Sequence, residues 1–244
     1  MVEIGSIVPI GFAGIFHLVF FGLFLPWAAF RSGRQFETSP LPPRPQIFIS
    51  VMVNQIVFAA LSLLVAWSED ISLFPAMNFR PGPLALGAGI LAVGFAILGP
   101  HLRQSVERRD RKLHVSMPRT SRERRLWTGV SLAAGFGEEV TYRGVMFTLL
   151  SRLLEAPLAA AIVAAAVFGF SHILQGWKNA GIVGIVALAL QGLVIWSGSL
   201  YIVIAMHAIY DLVAGLVCGR LGDRLGYPAE GIEVPAPGVP SPAQ

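Results

Sequence analysis

The chain has 244 residues, of which 55 % are hydrophobic and only 13 % charged, with a formal net charge of +4. Soluble domains carry about 25 % charged residues, so this composition excludes an ordinary water-soluble fold. The single cysteine, Cys218, excludes an intrachain disulfide, a CxxC metal site and a dithiol redox pair.

Several apolar runs approach or exceed the ~18–20 residues that span a bilayer. They are continuous and rich in Leu and Ala, without the two-residue alternation of a membrane barrel. The expected fold is therefore all-α: a polytopic membrane protein of about seven transmembrane helices. The segment ahead of the first run holds Glu3 and no Lys or Arg, which is not the basic start of a signal peptide.

The first span is expected over about 4–30 and carries His17, which reads as a hydrogen-bond partner of a neighbouring helix. A proline-rich loop with Pro40, Pro42, Pro43 and Pro45 follows. The second span, about 47–67, holds Asn54 and Gln55, two polar positions suited to interhelical hydrogen bonds. A loop with Glu69 and Asp70 leads to a short third span, about 84–98, which Pro100 is expected to end. Residues 101–125 form the longest polar stretch, dense in arginine but without interleaved aromatic residues, so nucleic acid is not an expected partner. The fourth span runs from about 126 to 155, the fifth from 158 to 174, the sixth from 180 to 196 and the seventh from 200 to 219. The tail from Tyr227, rich in Pro, Gly and Ala, is expected to be disordered. Three regions result: N-terminal helices and a basic loop (1–119), a core (120–220) and a tail (221–244).

Seven spans put most of the basic residues on one face. Arg31, Arg34, Arg44, the arginines of 103–125 with Lys112, Lys178, Arg220 and Arg224 lie there; Arg80 and Arg152 lie on the other. Basic residues favour the cytoplasmic side, which predicts an outer N-terminus and a cytoplasmic C-terminus.

Chemistry concentrates in Gly135-Phe136-Gly137-Glu138-Glu139-Val140-Thr141-Tyr142-Arg143-Gly144. Charges at bilayer depth cost a few kcal/mol each and face a protein interior or a wet cavity. Glu139 and Arg143, four apart on a helix, can pair, leaving Glu138 without a local partner and thus a candidate general base. The alternative is one buried ionic cluster that holds helices together. At ~1.5 Å per residue, Glu138 on span four, His172 near the cytoplasmic end of span five, and His207 and Asp211 on span seven can share one cavity. Such a set suits a carboxylate-activated water with oxyanion donors, or a metal site with His and carboxylate ligands. No HExxH helix is present, and Ser171 beside His172 is not expected to face it.

Glu138-Glu139-x-x-Tyr142-Arg143-Gly144, Phe168-Gly169-Phe170-Ser171-His172 and His207-Ala208-Ile209-Tyr210-Asp211 resemble, in order, the EExxxR, FxxxH and HxxxN/D motifs of the CAAX protease and bacteriocin-processing family of intramembrane proteases. The resemblance covers about 120–220. It implies an endopeptidase of the type II CAAX prenyl protease kind, acting on a membrane-associated protein or peptide at the lipid bilayer. By that resemblance Glu138 and His172 activate the water, His207 and Asp211 stabilise the oxyanion, and Glu139, Arg143, Tyr142 and Phe168 give structural support. The favoured mechanism has no metal and no cofactor. An ionised Asp211 cannot donate to an oxyanion, so Asp211 is either protonated or orients His207. Competing readings are a zinc-dependent version of the same protease, a non-catalytic immunity or regulatory protein on this scaffold, and a proton-coupled transporter. The almost wholly apolar outer halves of the spans disfavour the last.

Overall fold

The structure, a computed structural model, describes residues 9–38, 42–75, 80–108, 113 and 116–226, with side chains 33–38 excepted. The expectations for the start of the first span, for Pro40, for Arg109, Arg111 and Lys112 of the basic stretch, and for the tail from Tyr227 fall outside these residues.

Among the described residues, seven helices follow one another. Helix α1 (12–38) comprises Phe12–Val19, a π-helical turn Phe20–Phe24 and Leu25–Thr38. Then come α2 (Arg44–Ser68), α3 (Pro81–Glu107) and α4 (121–154), the last with a π-helical stretch Glu139–Met146 between Ser121–Glu138 and Phe147–Leu154. Helices α5 (Pro157–Ser171), α6 (Trp177–Ser197) and α7 (Tyr201–Arg224) complete the bundle. By length and composition five of these can cross a membrane: α1, α2, α3, α6 and α7. Helix α4 carries the charged stretch, and α5 has only 15 residues. The chain is a multi-pass membrane protein, all-helical among the described residues, in which α4, bearing Glu138, and α5, ending just before His172, are the least typical spans.

Helix α4 is the centre, packed between α2 and α7, while α5 lies along α6. Lipid tails are as apolar as leucine, so helices associate here through close packing and polar contacts rather than hydrophobic burial. Two glycines permit the central contact. A Cβ at Gly135 would lie 2.8 Å from the Ala208 amide of α7, and one at Gly137 would lie 2.8 Å from the Gln55 carbonyl of α2. The sequence Gly135-x-Gly137 thus lets two neighbouring backbones close on α4 immediately ahead of its carboxylates.

Two local expectations are corrected. Pro100 does not end α3, which continues to Glu107; the ring faces outward, and a proline in a membrane helix costs a hydrogen bond without breaking it. Glu69 lies in the turn after α2, as expected, and is buried there. Its carboxylate accepts the Gly11 and Gly14 amides at 3.1 and 2.8 Å, satisfying the start of α1 where negative charge is favoured. Its carbonyl accepts from Arg152 at 2.9 Å. Asn54 lies on the exposed face of α2, whereas Gln55 turns inward.

The end of the basic stretch is the capped start of α4. Thr120 and Glu123 form a capping box: Glu123 N donates to Thr120 Oγ1 at 3.1 Å, and Thr120 N to Glu123 Oε2 at 2.9 Å. Arg44, buried at the start of α2, donates to Glu123 Oε1 at 3.1 Å. Glu123 precedes the apolar part of α4. Burial raises its pKa, but the amides of Thr120 and Arg119 and the Arg44 guanidinium outweigh this and hold it below the usual carboxylate range. A lowered folded-state pKa gives stability that is present above the ordinary carboxylate range and lost as pH falls through the lowered value. The melting-temperature gap between wild type and Glu123→Gln in detergent is therefore expected to be open at neutral pH and to close below about pH 4. A gap independent of pH would contradict this.

Candidate active site

The π-helical stretch Glu139–Met146 is buried throughout. Such stretches are rare and concentrate at functional sites. Here it is pinned from outside: His17 Nε2 of α1 donates to the Thr141 carbonyl at 3.2 Å, and Ser62 Oγ of α2 bonds Thr141 Oγ1 at 2.8 Å. His17 thus serves a neighbouring helix, as its sequence context suggests.

Glu139 is fully buried and accepts two charge-assisted bonds on Oε1, from Arg143 at 2.5 Å and from His207 Nδ1 at 2.7 Å. The pairing with Arg143 agrees with the four-residue spacing; the second partner, from α7, was not expected. The Arg143 guanidinium carbon stands 4.9 Å from the Phe168 ring centre, a cation–π contact. Phe168 also packs against Tyr142 and His172, with ring centres at 5.1 and 4.6 Å. Glu139, Arg143, Tyr142 and Phe168 form a buried layer that fixes the geometry of what lies beside it.

Beside it are the more open groups. Side chains of Glu138, His172, His207 and Asp211 are 16, 21, 14 and 28 % exposed, against 0 % for Glu139 and 4 % for Arg143. His172 Nδ1 donates to the Phe168 carbonyl at 2.9 Å; a carbonyl only accepts, so Nε2 is the position left for chemistry. His172 Nε2 and His207 Nε2 stand 3.9 and 3.7 Å from Glu138 Oε2. Asp211 Oδ2 stands 3.5 Å from His207 Nε2. All four candidate residues thus come together from α4, α7 and the end of α5. Ser171 departs from expectation: its Oγ lies 3.3 Å from His172 Nδ1, because the helix ends at Ser171 and adjacent side chains are no longer held apart. Ser171 Oγ donates to the Phe168 carbonyl at 2.7 Å.

Two contacts to the site come from residues not singled out as part of it in the sequence. Gln55 Nε2 donates to Glu138 Oε1 at 2.7 Å, so Glu138 does have a partner, from α2. Glu138 Oε2 is buried without a hydrogen-bond partner among the described residues. Trp127 Nε1 donates to the Asp211 carbonyl at 3.0 Å. Gln55 is visible in the sequence as a polar residue in an apolar span; nothing marks Trp127. Among the described residues no group of three or more His, Cys, Asp or Glu side chains is arranged to hold a metal ion.

Residues 122–213 match the family model described as Rce1-like, type II CAAX prenyl endopeptidase Rce1-like. That segment contains Glu138, His172, His207 and Asp211, and it carries the CAAX protease-like resemblance that the three motifs give. The match supports a protease-type function within a membrane. No curated protein and no solved structure matches the chain.

Proposed function

We propose that the protein is an intramembrane endopeptidase of the glutamic type, hydrolysing a peptide bond of a membrane-associated protein or peptide. The observation that carries this reading is the spacing around Glu138 Oε2. An unpartnered carboxylate oxygen stands 3.7 and 3.9 Å from two imidazole Nε2 atoms. That is wider than a direct hydrogen bond, so the oxygen faces both imidazoles without bonding to either.

In this mechanism Glu138 takes a proton from water held between it and His172, and the oxygen bonds to the scissile carbonyl carbon. His207 Nε2 stabilises the oxyanion, its ring fixed by the bond from Nδ1 to Glu139. The C–N bond then breaks, and Glu138 delivers its proton to the leaving amine. Asp211, whose Oδ2 stands 3.5 Å from His207 Nε2, is assigned to orienting His207. Glu139, Arg143, Tyr142 and Phe168 hold the geometry. The core is assigned to 120–220, and the distribution of basic residues supports an outer N-terminus and a cytoplasmic C-terminus; a bacterial inner membrane is the location that the family resemblance implies through Asp211.

The test is to embed the purified protein in lipid nanodiscs with a mixture of membrane-anchored peptides and to read new termini by mass spectrometry. Discrete cleavage near the membrane surface supports the proposal. An intact mixture, together with tight unproductive binding of the same peptides, favours a non-catalytic protein on this scaffold.

A further inference from the structure

Helix α2 lies outside the matched segment 122–213, yet it meets α4 at three polar positions in the same chain order. Arg44 pairs with Glu123 at 3.1 Å, Gln55 bonds Glu138 at 2.7 Å, and Ser62 bonds Thr141 at 2.8 Å. The intervals on α2 are about three and two helical turns, so all three point to one face. The outer two contacts fix the register of α2 along α4. The approach is fixed as well, since a Cβ at Gly137 would lie 2.8 Å from the Gln55 carbonyl. Gln55 is thus the middle peg of a ruler held at both ends, and the group it reaches is the one partly exposed glutamate of the site.

We infer that Gln55 is a positioning residue for the proposed hydrolysis: by occupying Glu138 Oε1 it fixes the carboxylate plane and leaves Oε2 as the oxygen that faces His172 and His207. A carboxylate without that donor can rotate and present either oxygen, or turn toward the imidazoles. The inference rests on Glu138 acting as the base. It adds that the N-terminal helices complete the site from outside the matched core.

The test uses the full chain in nanodiscs, the same membrane-anchored peptide mixture, and Gln55→Leu, which keeps the bulk and removes the donor. The expected result is a kcat lower by roughly 10- to 100-fold, the factor carried by a hydrogen bond to a charged group. KM stays unchanged and the protein remains folded, and adding Gln55→Leu to Glu138→Gln causes no further loss of activity. Independently of any substrate, the isotope-edited infrared carboxylate band of Glu138 is expected to shift in Gln55→Leu. Wild-type kcat with an unshifted band would overturn the inference even if Glu138→Gln is inactive. A raised KM at constant kcat would also overturn it, since that marks a substrate contact. Full activity of Glu138→Gln would remove the reading on which it rests.

Discussion

Glu138→Gln is expected to lower kcat by about 10²- to 10⁴-fold, the usual contribution of a positioned general base, while the protein remains folded. Glutamine has the shape of glutamate but cannot take a proton from water. The substitution also tests the separation of roles within the charged stretch. Glu138 is partly exposed and bonded to neutral Gln55, whereas Glu139 is sealed between Arg143 and His207. If the charges are only a structural cluster, Glu138→Gln keeps its activity. Rates on the peptide mixture, with melting curves taken in the same nanodiscs, decide between these outcomes.

The second large effect is on stability. Arg143→Met removes the guanidinium from a fully buried carboxylate and is expected to cost about 3–5 kcal/mol, the penalty for breaking a buried pair from one side. His207 remains as a partner of Glu139, so the remaining charge falls on the ring assigned to the oxyanion, and activity is lost along with stability. Removing both charges in Glu139→Gln with Arg143→Met is expected to recover part of the loss, because the uncompensated carboxylate is gone. Arg143→Lys is expected to remain defective, since an ammonium lacks the planar face that stacks on Phe168. Thermal unfolding in detergent measures all three. An Arg143→Met protein as stable as wild type would contradict the sealed layer beneath the site.

Seven helices were legible because long apolar runs leave few alternatives in a bilayer. The convergence of Glu138, His172, His207 and Asp211 followed from three motifs and helical rise. What was not legible depends on contacts between helices distant in sequence. The bond from His207 to Glu139 spans 68 positions, and that from Gln55 to Glu138 spans 83; neither has a local pattern. The π-helical turn at Glu139–Met146 has no composition signature, and its wider winding still leaves Glu139 and Arg143 in reach. The capping box at Thr120 and Glu123 was readable in principle, but the surrounding arginines suggested a loop. Pro100 misled because the rule that proline ends a helix is weaker where its ring faces outward and the helix is otherwise unbroken.

The central claim is that Glu138 activates water rather than attacking the peptide itself. Single-turnover cleavage in ¹⁸O-water, followed by mass analysis of both the product and the Glu138 peptide, tests it most directly. General-base catalysis predicts one ¹⁸O in the new C-terminal carboxylate from the first turnover and none in Glu138. An ¹⁶O product with ¹⁸O in the Glu138 carboxylate would show a covalent acyl-enzyme and contradict the mechanism.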